Sequence, residues 1–558
     1  MDSNLLKTKS IEQLVGDVEH GSKALRRSLT AWDLTLLGIG AIIGTGIFVL
    51  TGTAAANQAG PAIMMSYLFA GLACGFAALC YAEFASMIPI AGSAYTYAYA
   101  TMGELFAWII GWDLILEYAV GSMTVAIGWS GYMQKLLSGA GITLPLWMSA
   151  APSASSPGTV INLPAVIIVL CIMYLLVVGI RESARFNAVM VGIKLAAVVF
   201  FIGAGAVYVK PENWDPFTPY GWSGVMGAAG VVFFAYIGFD AVSTTAEEAK
   251  NPQRDLPIGI IASLVVCTTL YLVVAAVLTG IVPVVAYKAD QAFLNAPVAF
   301  ALSLIGQDWA AYLVSAGAVA GITSVLLVML MSQPRIFFAM SRDGLLPQGV
   351  SKVHPKFGTP YITTIITCIV VALVAGVTQI QTVGEMTSIG TLFAFAIVCG
   401  AVLILRVSRP EVHRPFRVPF GPVFPVLGIL SCVYLMLNLP ILTWVRFLVW
   451  LDLGMLIYWF YGRTHSPLVD AREASNRSAF ESVANFVFMA GSLAVFNTAC
   501  ITVLAYMTEL GLTTETIAKW HEIGVTAEVA DAFGLKWLGV SLVLLAAGFG
   551  LRKASASK

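Results

Sequence analysis

The sequence predicts an all-α polytopic membrane protein of about 14 transmembrane helices, and three observations predict it. Apolar residues come in runs of about 20, the length a helix needs to cross the bilayer core. Hydrophobic residues make up 59% of the chain and charged residues 11%, roughly half the charged fraction usual in a soluble domain. Lys and Arg gather on alternate connecting segments. A large soluble protein would show shorter runs at amphipathic spacing.

The runs, in order, are 33–57, 62–88, 104–137, 160–180, 186–209, 221–246, 257–282, 307–341, 361–378, 384–406, 423–438, 441–461, 483–508 and 535–551. The third and eighth exceed bilayer length, which predicts an extramembrane turn or a strong tilt in each. Only Asn438-Leu439-Pro440 separates the eleventh from the twelfth. The segment 1–31 is polar, and the run after it is too long for a signal-peptide core, so the first helix is expected to stay as an anchor. With the N-terminus inside and sides alternating, inner segments hold 23 Lys and Arg and outer segments 6. The thirtieth, Lys194, falls inside a span. This bias orients both termini toward the cytoplasm and requires an even number of crossings.

Several function classes are excluded on composition. Net charge is zero, which gives no case for a nucleic-acid partner. The eight cysteines (74, 80, 171, 267, 368, 399, 432, 500) lie in apolar runs without metal-ligand spacing and read as small buried side chains. All five histidines (20, 354, 413, 465, 521) fall in predicted loops, so none is a midplane proton relay. No loop carries a nucleophile–base set, and no cofactor is expected. A receptor would add a large soluble signalling domain, and a channel would repeat a pore-lining ring.

Span 1 reads Gly38-x-Gly40-x3-Gly44-Thr45-Gly46-Ile47-Phe48. Each glycine weakens a helix by roughly 1 kcal/mol relative to alanine. A break here aims free N–H groups at a ligand anion, helped by the positive end of the half-helix that follows. Gly40-x3-Gly44 is equally a close-packing pair. Thr45 adds a hydroxyl donor. Span 6 reads Gly230-Val-Val-Phe-Phe234-Ala235-Tyr236-Ile237-Gly238-Phe239-Asp240. If it unwinds, Phe234, Ala235 and Ile237 expose carbonyls suited to an ammonium group. The alternative is a bundle-core helix with Asp240 as a cap. Spans 1 and 6 open two successive five-helix sets, and broken segments at matching positions mark a site at an inverted-repeat interface.

Lys194 lies nine residues past Arg185, roughly 13 Å deep and uncomfortable for a lysine. It reads either as a proton carrier or as a fixed cation on unwound carbonyls. Glu117, four residues after Asp113, reads as a proton carrier, a substrate contact or a partner for an internal dipole. Glu83 and Glu104 sit nearer the inner surface, where gate or loop salt bridges are usual.

Gly44-Thr45-Gly46-Ile47-Phe48 resembles the amino acid–polyamine–organocation superfamily. So do Tyr81-Ala-Glu83-Phe-Ala-Ser-Met-Ile-Pro89, Gly92-Ser93-Ala94-Tyr95, Phe234-Ala-Tyr-Ile-Gly-Phe-Asp240 and Glu247-Glu248-Ala-Lys-Asn-Pro252. Arg335-Ile-Phe-Phe-Ala-Met-Ser-Arg342-Asp343-Gly344-Leu-Leu-Pro347 also agrees. Together they look most like a bacterial member of its cationic amino acid transporter family, over about residues 25–460. The resemblance implies the leucine-transporter fold, a 5+5 inverted repeat with additional C-terminal helices. It implies a transport core over 32–406, helices 11 and 12 over 407–462, and an extension over 463–558 with two further spans. It places a substrate carboxylate on the backbone of Gly44, Thr45 and Gly46. The amino group meets carbonyls of Ile42, Phe234, Ala235 and Ile237. Phe234 doubles as an aromatic lid, with Tyr236 a second gating candidate. Lys194 matches a lysine that replaces a sodium site and couples transport to protons, and Glu117 matches an acidic pocket residue.

The expected function is uptake of L-amino acids across the bacterial inner (plasma) membrane, with a proton as coupling ion. Exchange or uniport is the alternative, and an amino acid-sensing receptor the different-class one. Bulky Met329, Leu330 and Met331 in span 8 favour a smaller or neutral substrate, while Glu117 argues mildly for a cationic one. The residues are silent on oligomeric state and on any small membrane subunit.

Overall fold

The computed structural model describes residues 29–88, 93–153, 157–178, 184–352, 354, 359–466, 491–495, 497 and 500. The polar segment 1–28 and both predicted spans of the extension lie wholly or largely outside these residues, as do His20 and His521.

Among the described residues the chain is helical, without a named strand. Seven helices are long and apolar enough to cross a bilayer, and five shorter apolar helices accompany them. One of the seven, Gly46–Met87, is two elements. Gly60 takes φ +64° ahead of Pro61, and the Tyr67 hydroxyl reaches back to donate to the Gly46 carbonyl at 3.2 Å. Twenty-one residues of straight helix would hold those groups about 30 Å apart, so the chain reverses at Gly60. With that reversal, and with Ala31–Ile42 joined to 46–59 as one broken span, the described residues form twelve spans.

Span 1 starts at a capping box, in which Thr30 and Asp33 satisfy each other's backbone amides. It runs as Ala31–Ile42, breaks, and resumes over 46–59. Span 3 (Glu104–Gly139) and span 8 (Asp308–Arg342) are single unbroken helices. Neither contains a turn, so each exceeds the bilayer by tilt or overhang. They lie along each other, and span 10 (Ile380–Ser408) flanks span 3. Span 8 crosses span 5 (Ala184–Ala206) where an added Cβ at Gly317 would meet Ala197 Cβ at 2.5 Å and one at Gly321 would meet Lys194 Cβ at 2.8 Å. Close approach of backbones through small residues replaces the hydrophobic effect as the cohesive device inside lipid.

The helix ends that carry Glu83 and Glu104 are tied by polar clusters. Glu83 is buried, pairs with Arg406, and accepts the Val418 amide at 2.8 Å. Arg414 approaches the same carboxylate at 3.6 Å. That bears out the salt-bridge reading of Glu83. Glu104 corrects it: its partners are the hydroxyls of Tyr99 at 3.2 Å, Tyr458 at 3.0 Å, and Ser466. The end of span 12 packs over this carboxylate and supplies neutral donors. The cysteine reading also needs a correction. Cys171 is exposed, because span 4 (Leu163–Val178) shows much of its surface to the bilayer and a thiol is apolar enough for lipid.

Candidate substrate site

Both predicted breaks are present, and they are built differently. In span 1 the helix ends at Ile42 and Ile43 is extended (φ −74°, ψ 105°). The amides of Gly44, Thr45 and Gly46 are the first donors of the outer half-helix, which leaves them without an acceptor inside it. In span 6, Gly221–Val232 tightens into a 3-10 turn over Phe233–Tyr236. Ile237 is then extended (φ −59°, ψ 136°), Gly238 turns to φ +112°, and Phe239–Glu248 continues as 3-10 helix. Only glycine holds that φ cheaply. Asp240 follows the break and does not cap it: the cap position belongs to Gly238.

The two breaks touch. An added Cβ on Gly46 would lie 2.4 Å from Ala235 Cα, and one on Gly238 would lie 2.9 Å from the Ala41 carbonyl oxygen. The Tyr271 hydroxyl of span 7 sits 3.0 Å from the Ile42 carbonyl and 2.6 Å from the Ala235 carbonyl. Carbonyls from both breaks therefore converge on one oxygen atom. A phenol carries one proton, so it cannot give a full hydrogen bond to both at once. Phe234 O accepts the Ile237 amide at 3.2 Å within its own turn.

Thr45 is fully buried against Gly128 of span 3, and its Oγ1 has no hydrogen-bond partner among the described residues. A buried hydroxyl is ordinarily satisfied. An orphan at the opening of a half-helix is the expected mark of a polar ligand site.

Lys194 is fully buried. Its Nζ donates to the Gly40 carbonyl and, at 3.0 Å, to the Ile43 carbonyl. These carbonyls belong to the end of the inner half-helix, where the dipole is negative and carbonyls lack helical partners. The Lys194 amine thus bridges carbonyls on the two sides of Ile42, where the helix ends.

Glu117 is buried too, but at another level. It keeps company with Thr391, Asp240 and Asp113. Gly128, the residue that faces Thr45, lies eleven residues further along span 3, roughly 16 Å away. The structure does not bring Glu117 to the anion end of the site. Between the two levels lies Gly121, whose added Cβ would meet Met329 Sδ at 3.3 Å and Thr387 Cγ2 at 3.5 Å. Of the three bulky span-8 residues, Met329 packs on Gly121, Leu330 is fully buried, and the Met331 sulfur contacts Arg335. Tyr236 is anchored on spans 2 and 7. Its hydroxyl donates to the Tyr67 carbonyl at 2.8 Å, and its ring packs with Tyr67 and Tyr271. Phe234 and Ile237 are buried beside the break.

Sequence reasoning missed Tyr271 and Gly128. Tyr271 stands in an apolar run with no flanking signal. Gly128 had one, since Gly121, Gly128 and Gly131 recur at helical spacing on one face.

The family model described as amino acid permease matches residues 29–460. The chain is similar to the branched-chain amino acid permease BcaP of Bacillus subtilis (strain 168), with 53% identity over 84% of this chain and 100% of that protein. It is also similar to the methylthioribose transporter of Bacillus subtilis (strain 168), with 50% identity over 84% of this chain and 99% of that one. The vacuolar cationic amino acid transporter 4 of Arabidopsis thaliana is 31% identical over 84% of this chain and 97% of its own length.

Proposed function

The chain belongs to the amino acid permease family, and from that premise we propose that it carries an apolar amino acid inward together with a proton. Membership places it among multi-pass membrane transporters and not among enzymes. The orphan Thr45 hydroxyl between two touching helix breaks carries the reading. In this reading the amides of Gly44, Thr45 and Gly46 hold the carboxylate. Carbonyls of Ile42, Phe234, Ala235 and Ile237 hold the ammonium, which displaces the Tyr271 hydroxyl from Ile42 and Ala235. Phe234 closes over the ligand.

The substrate side chain points toward Gly121, Met329 and Val325, whose Cγ2 would lie 3.2 Å from an added Cβ on Gly44. A glycine, a β-branched residue and a thioether form a wall for a small aliphatic group. The name of the branched-chain permease relative agrees with this. Glu117 lies beyond that wall and handles the proton with Lys194, through alternating access. Exchange or uniport is the second reading, and one observation favours it: Lys194 already serves two carbonyls as a fixed cation.

Uptake of labelled leucine, arginine and methylthioribose into proteoliposomes, with and without an inward proton gradient, separates these readings. Gradient-driven leucine accumulation is expected. Equal uptake without the gradient removes symport, and preference for arginine or methylthioribose removes the apolar substrate.

A further inference from the structure

Away from the substrate site, a cavity of about 780 Å³ opens between span 7 (Pro252–Ile281) and the segment joining spans 10 and 11. Its floor is one face of span 7. Arg254, Ile258, Ile261 and Val265 follow at spacings of 4, 3 and 4 residues, which lines them up along the helix. Its wall is Phe416. That wall is fixed from behind: the Phe416 amide donates to Ser86 Oγ at 3.2 Å, and the buried Glu83 pairs with Arg406 beneath it. The groove is therefore preformed and differs from an ordinary lipid-facing helix surface, which has no rigid wall.

The chemistry along it is graded. Gln253 and Arg254 stand exposed at one end, and among the described residues no ion pair is formed by the Arg254 guanidinium. The remainder is apolar. From Arg254 to Val265 is eleven residues, roughly 16 Å, about half the hydrocarbon thickness. The charged end adjoins Lys250 and, by the distribution of Lys and Arg, faces the cytoplasm. A guanidinium at leaflet level above a half-bilayer trough matches a phosphodiester on an acyl chain.

We propose that this groove binds an anionic phospholipid of the cytoplasmic leaflet, with its phosphate on Arg254 and an acyl chain along Ile258, Ile261 and Val265. The full chain, solubilised and washed in neutral detergent, is analysed by native mass spectrometry after incubation with phosphatidylglycerol or phosphatidylcholine. One phosphatidylglycerol is retained in preference to phosphatidylcholine. Arg254→Gln lowers its retention about fivefold, the weight of one surface charge. Val265→Trp, at a position 59% exposed and so without a folding role, lowers retention by obstructing the trough. Equal retention of both lipids, or no change with Arg254→Gln, overturns the proposal. So does a gain in lipid on deleting residues 1–27, which would make the chain's own N-terminal segment the occupant.

Discussion

The two breaks in the membrane helices look alike in sequence and differ in what holds them. Span 1 is held from outside, by an ammonium from span 5 on the Gly40 and Ile43 carbonyls. Span 6 is held from within, by a left-handed glycine and a 3-10 turn on each side. The first is bridged by a lysine and the second sets its own backbone turn; the Tyr271 hydroxyl is the outside side chain that both share. A break held by a removable charge can respond to what binds nearby, whereas one set by φ cannot. Where a conformational signal enters this protein, span 1 is its natural entry.

The largest disruption of this pair comes from closing the contact between the breaks. Gly46→Val places a branched side chain inside 2.4 Å of Ala235. It is expected to abolish uptake and to cost about 3 kcal/mol or more, the upper end of overpacking, read by thermal unfolding in detergent. Lys194→Met comes next. Two buried carbonyls lose their donor at about 1–3 kcal/mol each. If the charge also carries coupling, leucine uptake in this variant becomes indifferent to the proton gradient, and full gradient-driven accumulation would remove Lys194 from coupling. Gly238→Ala should cost about 1–2 kcal/mol for its φ, plus the clash at Ala41, and should leave gradient dependence intact. A loss of gradient dependence there would erase the distinction between the two breaks. The mildest is Tyr271→Phe, expected to destabilise by about 1 kcal/mol. Because it frees the Ile42 and Ala235 carbonyls, it should alter the apparent substrate affinity more than the maximal rate.

How legible this was depended on whether a residue violated the lipid environment. Lys194 and the glycines of span 1 stand out because a charge or a weak helix in hydrocarbon demands a reason. The helix order followed from run lengths alone. Tyr271 did not stand out, since a tyrosine in an apolar run is unremarkable until two carbonyls are found beside its hydroxyl. Glu117 was legible as buried and illegible as to depth. Its separation from Thr45 depends on where span 1 meets span 3, at Gly128, which is a matter of tertiary register. Met329 was one of three adjacent candidates for the same reason. Glu104 was misjudged because its partners, Tyr458 and Ser466, lie more than 350 residues away in the chain.

The backbone bridge between Leu29 and Ala249 joins the arms Ala31–Ile42 and Phe239–Glu248 of the two broken helices, with the Lys250 amide on the Leu29 carbonyl at 2.8 Å. Each arm ends at a non-helical residue, Ile43 in one and Ile237 in the other, and carbonyls beside the two meet at the Tyr271 hydroxyl. The arms are thus two leaves on one hinge pin, fastened at their free edge. A movement of either arm must swing both as a single door or first undo that fastening.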